Sequence, residues 1–364
     1  MMSVGKSARF AITVICFAGL ASCQKPLVLL VGPEVQDLQP LVQKALAANP
    51  SAGHWTLQPD TKPWPGAALA LRLTTTPGWN LPSSTAPAVQ VSDEWRKGGN
   101  YRPPDSLARM AMNGQNWEAI PLFYDVWGET RFVPQGSKAS SPTDWDRLLA
   151  QAGTRSLVMA GSRPAFRQWA FVGAVSDGKA HALASPWFAL ASKPWEGELS
   201  ALASLKDKAC WAANSWDFKM ADLLQAYKPN ASSTFLETFR DYETANVQGS
   251  RRFDALRIPG PSGFALGGIV VFAELRGAPG RWKAALPLLR ILTGSAFQRE
   301  IGSRTYWLAA NSGAPELDGT GAAVRNLVRQ AEFFYPLTDR LPDPLVENNL
   351  TVDVQLAIDE APKK

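Results

Sequence analysis

The sequence predicts an α/β fold in two lobes, and three observations predict it. Short apolar runs of strand length alternate with segments whose apolar residues recur at helical spacing, the pattern of a mostly parallel sheet with helices packed on it. Setting aside residues 1–22, which read as a leader, leaves 342 of the 364 residues, long for one hydrophobic core and suited to two. Twenty-eight glycines and 28 prolines are spread along the chain and divide it into many short elements joined by turns.

The leader comes first. Lys6 and Arg9 precede an apolar run from Phe10 to Leu20, about 11 residues against the roughly 20 needed to span a bilayer. Small residues follow, as in a secretory signal. Leu27 to Val31 then reads as an apolar strand and Gly32-Pro33 as a turn. Val35, Leu38, Leu41, Val42 and Leu46 read as the buried stripe of one helix. "ALALRLTTT" and "PAVQVSDEW" read as a second and a third strand. An open α/β sheet receives its ligand at the carboxyl ends of its strands; here those ends carry Gly32 to Glu34, Thr74 to Trp79 and Ser92 to Trp95.

"AIPLFYDVWGETRF", Ala119 to Phe132, begins as a further strand and sets Tyr124, Asp125 and Trp127 almost side by side before the apolar run breaks at Gly128. In "SSPTDWDRLLAQAG", Ser141 can cap a helix, Pro142 fits its first position, and Asp144 and Asp146 favour its positive end. Ala-rich, Trp-bearing helical segments run on to about Tyr242. The pattern returns to strand near "RRFDALRIPGPSGFALGGIVVFAE", where Gly260, Gly263, Gly267 and Gly268 are expected to form a loop ahead of a strand from Ile269 to Phe272. A strongly helical stretch follows, with Trp282, Leu286, Leu289 and Leu292 in register, and "GAAVRNLVRQAEFF" reads as a last helix.

Composition narrows the function. Loss of the leader leaves 35 basic against 32 acidic residues, a net +3 that is no nucleic-acid footprint. Cys16 leaves with the leader. The leader ends in "LASC", Leu20 to Cys23, which resembles the lipobox of bacterial lipoproteins, whose cysteine is acylated and becomes the first residue. That resemblance implies a lipid anchor on Cys23, and it leaves Cys210 as the only free thiol, so no internal disulfide can form. Cys210, in "KACWAAN", has the surroundings of a buried, inert thiol.

Three segments in order resemble the extracellular solute-binding proteins, family 1, the sugar-binding components of bacterial ABC importers. "AIPLFYDVWGETRF" is similar to that family's Pro-led strand with aromatic residues, which passes from the first lobe to the second. "TDWDRLLAQAG" is similar to its Trp-bearing helix. "LRIPGPSGFALGGIVVF" with "GRWKAALPLLRILTGSAFQREIG" resembles the returning strand, a Gly-Gly loop and a helix, with Trp282, Ala285, Leu288, Leu289, Leu292, Thr293 and Gln298 at about the family's positions.

The resemblance implies a two-lobed periplasmic-binding-protein-like fold of type II with a ligand cleft between lobes joined by crossing hinge strands. Lobe 1 would comprise residues 23–120 with 256–315, and lobe 2 residues 121–255 with 316–364. It implies capture of a small solute by hinge closure, ABC permease subunits as partners, and a monomer held at the cell envelope by Cys23, facing the periplasm or exterior. No catalysis, cofactor, metal or nucleic acid is expected.

Sugar rings offer apolar C–H faces and hydroxyl edges, so aromatic planes and carboxylate acceptors suit them. Tyr124, Asp125 and Trp127, at the end of the first crossing strand, meet that demand, although alternation sends Tyr124 and Asp125 to opposite faces. Trp79, Trp95, Trp187, Trp216 and Trp307 follow strands or Gly/Pro breaks and are further candidates. Gly267 and Gly268 would allow close backbone approach or simply make a turn. Arg163, Arg167, Arg251 and Arg252 could hold an anion, or merely cover a surface.

Two other classes stay open. An exported hydrolase would need catalytic groups; the only histidines, His54 and His181, lie near no Gly-x-Ser-x-Gly elbow, and no zinc-type cluster is visible. A pair of carboxylates for glycoside hydrolysis is not singled out. The third class is a two-lobed surface lipoprotein with an adhesion, sensing or envelope role. "GETRFVP" standing where the family has Tyr-Asn is compatible with it.

Overall fold

The computed structural model of the chain describes residues 27–60, 69–75, 89–132, 143–144, 157–159, 234–245, 251–259, 264–277, 281–315 and 319–336. Cys23, Trp79, Trp187, Trp216, Cys210, His181, Arg163, Arg167 and the helix expected after Ser141 lie outside the described residues, apart from the two-residue strand at Thr143–Asp144.

Strand β1 (Leu27–Val31) pairs in parallel with β2 (Trp55–Pro59) and β3 (Leu69–Thr74). β1 and β3 are buried almost throughout, β1 as an unbroken apolar run and β3 with only Arg72 interrupting its apolar residues before Thr74. The segment expected as one helix after β1 is two: a 3-10 turn at Pro33–Leu38 and then α1 (Gln39–Ala48). Val35 leaves helical geometry (φ −127°, ψ 25°), and Pro40 brings no N–H to a continuous ladder. The apolar stripe still does its work, since Val35, Leu38, Leu41 and Val42 are buried in the core. Of "PAVQVSDEW", only Val91–Ser92 is a strand, β4; it forms a small separate sheet with β5 (Met112–Asn113) and β6 (Asn116–Trp117), next to α2 (Asp105–Ala111).

β7 (Ile120–Phe132) is the spine of the molecule. It does not break at Gly128. The Phe253 ring lies where a side chain at 128 would stand, so glycine there admits the ring and the strand runs on. Up to Asp125, β7 pairs with β12 (Phe264–Arg276) and β13 (Leu308–Ala309). From Trp127 onward it pairs with β10 (Thr234–Thr238) and β11 (Arg251–Pro259), and β10 carries β9 (Leu157–Met159). β11 makes the same exchange in reverse: residues 251–255 lie on β7 and residues 257–259 on β12, with β8 (Thr143–Asp144) alongside. The chain therefore crosses between two lobes on β7 and returns on β11, and both strands change partners at one level. The main path runs β2-β1-β3-β12-β11-β7-β10-β9.

Gly267 and Gly268, expected in a loop, lie inside β12, flanked by β14 (Phe333–Pro336). The long helix expected after residue 280 is a 3-10 turn (Arg281–Ala285), α4 (Leu286–Leu292) and α5 (Ser295–Thr305), broken where Gly294 turns extended (φ −67°, ψ 139°). Leu288, Leu289, Leu292, Phe297 and Ile301 still fill the core of the first lobe. A further short helix, α3 (Phe239–Ala245), follows β10 in the second lobe, where Phe239 and Tyr242 pack on Phe253. α6 (Gly319–Gln330) was expected with the second lobe. It seats against α2 of the first, where the Ser106 hydroxyl donates to the Val328 carbonyl (3.2 Å) and Arg325 donates to the carbonyls of Asn311 and Ala314. Among the described residues, no helix is long and apolar enough to cross a membrane.

Candidate functional site

β12 is antiparallel to both β3 and β7, so β1, β3 and the first half of β7 all point the same way. Their carboxyl ends share one edge of the first-lobe sheet, where the second lobe begins. That is the edge at which open α/β sheets receive ligands. It carries Gly32 to Glu34 and Thr74 and Thr75, and β7 runs on past it, since Thr74 and Pro121 both oppose Phe272. The antiparallel β12 and β13 bring Gly268 and Trp307 to the level of Asp125, because Ile269 opposes Asp125 and Leu308 opposes Tyr124.

The carboxylates of Glu34 and Asp125 are both held. Glu34 Oε1 accepts from the Thr74 hydroxyl (2.8 Å) and from the Thr75 N–H (3.0 Å). Asp125 Oδ1 accepts from the N–H of Val126 (2.9 Å) and of Arg240 (3.1 Å). The residue is only 2% exposed. Burial pushes its pKa up to about 7, against the opposing pull of the Arg240 guanidinium and of its hydrogen bonds.

Arg240 stands on α3, yet its side chain turns back to the first lobe. Nη2 meets Asp37 Oδ2 at 2.8 Å, Nε donates to the Thr305 carbonyl at 3.0 Å, and the guanidinium carbon lies 4.1 Å from the centre of the Trp307 ring. Trp307 Nε1 donates to the same Asp37 oxygen (3.1 Å). A left-handed turn at Tyr306 (φ 59°) closes α5 and aims Trp307 into this position. The Arg240 cation thus also satisfies an orphan carbonyl at the negative end of an 11-residue helix, and the ring contact adds roughly 0.5–2 kcal/mol.

The sequence candidates separate into three groups. Asp125, Trp307, Gly268 and Gly267 come together at the junction. Trp127, buried opposite Thr238, lies one step beyond it on the crossing strand. Tyr124 packs edge-on against Phe334 in the core, with ring centres 6.0 Å apart. Trp95 is buried elsewhere. Its ring lies 5.5 Å from Tyr101, whose hydroxyl donates to the Pro121 carbonyl at the opposite end of β7's first half. Gly268 backs onto the Asp125 carbonyl so closely that a Cβ would collide with it.

Arg251 and Arg252 are both engaged by carboxylates. Arg251 pairs with buried Glu237, and Arg252 Nη2 lies 2.9 Å from Asp254 Oδ2, which also takes Arg131 Nη2 (3.0 Å). Burial pushes the Glu237 pKa up while Arg251 opposes it. These pairs brace the crossing strands themselves.

Arg240 and Asp37 were not singled out from the sequence. "FRDY" after a strand offers only its position as a signal, and Asp37 lies between the apolar positions of its segment. The junction brings together a buried aromatic ring, carboxylates and a guanidinium, with Trp307 and Asp125 buried and Arg240 and Asp37 partly exposed. His54 is exposed just before β2, and among the described residues no group of three or more His, Cys, Asp or Glu could hold a metal ion.

No protein-family profile matches the sequence, and a search of curated proteins gives no match. Solved structures do match. The chain is similar to the bacterial solute receptor AcbH, which has an exclusive substrate preference for β-D-galactopyranose, at TM-score 0.66 and 12% identity, over 93% of this chain and 94% of that one. It is similar to a family 1 extracellular solute-binding protein from Bifidobacterium longum subsp. infantis at TM-score 0.63 and 11% identity, over 93% and 96%. It is also similar to Clostridium botulinum thiaminase I in complex with thiamin, at TM-score 0.63 and 9% identity, over 93% and 100%. The fold is that of the two-lobed solute-binding proteins, and it is shared by receptors and by an enzyme.

Proposed function

We propose that this chain is the lipid-anchored substrate-binding protein of an ABC importer. It captures a small solute, most readily a carbohydrate, by closing two lobes, and it presents the loaded form to membrane permease subunits. The observation that carries this reading is the paired exchange of partners on β7 and β11. Two strands that change sheets at one level form a hinge, and the carboxyl edge of the first lobe lies directly beside it. Ligand contacts to both lobes would favour the closed state by their differential affinity. The receptors among the structural neighbours support the class of ligand. On this reading the strands pass between the lobes at residues 125–127 of β7 and at Leu256 of β11, Cys23 carries the acyl anchor at the cell envelope, and Asp125, Trp127 and Trp307, with Trp79, Trp187 and Trp216 from outside the described residues, are the first contacts to test.

The test is tryptophan fluorescence and thermal stability of the mature chain against galactose, maltose, xylo- and chito-oligosaccharides, polyols, amino acids, peptides and thiamin. A saturable response to one sugar, weakened in Trp127→Ala while the circular-dichroism signal of the fold persists, is the expected outcome. Turnover of thiamin would make the chain an enzyme. Silence across the panel would favour a surface lipoprotein without transport.

A further inference from the structure

Arg240 belongs to the second lobe by its backbone and to the first by its side chain. α3 follows β10, which pairs only with β9 and the second half of β7. Among the described residues, the guanidinium reaches Asp37, Thr305 and Trp307, all on elements packed against the first-lobe sheet. Asp37 lies just past the carboxyl end of β1, on the side where the lobes face each other. Swinging the lobes apart about β7 and β11 therefore pulls together on the contacts of Arg240 with Asp37, with the end of α5 and with the Trp307 ring. The backbone N–H of the same residue is tied to Asp125 at the hinge, which leaves the side chain as the part that can travel.

We propose that Arg240, seated on Asp37 and Trp307, is an interlobe latch that holds the lobes together without a ligand. The latch sets the balance between the closed and open arrangements, and a ligand acts on that balance rather than creating closure alone. The exposure of the pair fits a contact that can be remade: the Arg240 side chain is 28% exposed and Asp37 35%. The contact is accordingly sensitive to salt, in contrast to the buried Arg251–Glu237 pair between β11 and β10.

The latch is tested on the ligand-free mature chain by small-angle X-ray scattering, so its failure is distinguishable from failure of the receptor reading. Wild type is compared with Arg240→Ala, Arg240→Lys, Asp37→Asn and the Arg240→Ala/Asp37→Asn pair. The expected result is a larger radius of gyration in Arg240→Ala and in Asp37→Asn, no further increase in the double variant, and an intermediate value for Arg240→Lys, which keeps the charge but not the flat stacked fork. Raising salt from about 0.1 to about 1 M, where the Debye length falls from roughly 10 to 3 Å, should expand wild type and leave Arg240→Ala unchanged. A purely structural role would lower the thermal midpoint of the variants without changing the radius. That outcome, or identical scattering from wild type and the well-folded Asp37→Asn variant at both salt concentrations, overturns the latch.

Discussion

Asp125 shows how one side chain can report the state of the hinge. Its pKa of about 7 in the folded chain exceeds that of an unfolded Asp, about 3.9. The folded state therefore holds the proton more tightly, and stability must fall as pH rises from about 4 to about 7, then level off. Thr238, Arg240 and Asp241 are the groups that face it. In urea titrations across that window, wild type minus Asp125→Asn should lose up to about 4 kcal/mol between pH 4 and 7. Glu237 is present in both proteins and cancels from the difference; a flat difference would mean that Asp125 ionises normally. Gly268 makes a second prediction. Alanine there must push the Asp125 carbonyl away, so Gly268→Ala should lower the unfolding midpoint by the equivalent of about 1–3 kcal/mol, the cost of an overpacked core. At this scale the sequence was only partly legible. The run Tyr124-Asp125-Trp127 stood out by its residue types, and the resemblance of its segment to a Pro-led strand passing between lobes marked the crossing. Arg240 and Asp37 stayed hidden because their meaning arises from a contact across 203 positions of chain.

Elements were easier to find than their ends. Apolar period placed β1, β3, the start of β7, α4 with α5, and α6, since burial of a stripe is what those segments are selected for. It failed at the interruptions. Val35, Gly128 and Gly294 each obey a neighbour rather than the local pattern: a kink before Pro40, a ring against a strand, and a turn between helices. The last is secured by a buried polar knot. Gln298 donates to the Leu292 carbonyl (3.1 Å) and accepts from the Asn311 N–H (2.8 Å), while Asn311 donates to the Thr293 carbonyl (2.9 Å). Replacing Gln298 by Ala strands two buried groups, and chemical denaturation should register a loss of about 2–4 kcal/mol. The α4–α5 corner would then protect its amides from hydrogen exchange less well than β7 does.

For the molecule as a whole, the two lobes share continuous strands, so a hinge motion should bend β7 and β11 near Asp125 and Leu256 and leave each lobe rigid. Hydrogen exchange on adding a ligand should show protection concentrated at the carboxyl edge and α3, with little change in β1 or β3. The shared strands also fix the order in which the protein can form. β3 takes its sheet neighbour β12 from about 200 positions later, a link reinforced by Arg72 Nη1 on Glu274 (3.0 Å). Such distant pairing makes folding slow, and it denies the first lobe any finished edge until the final hundred residues arrive. A nascent chain stopped before Phe264 would carry β3 as a bare apolar ribbon, able to pair with any passing strand. Completion of the amino-terminal lobe is therefore an event of the carboxyl-terminal end, and a frameshift late in the coding sequence should yield an aggregate rather than a working half.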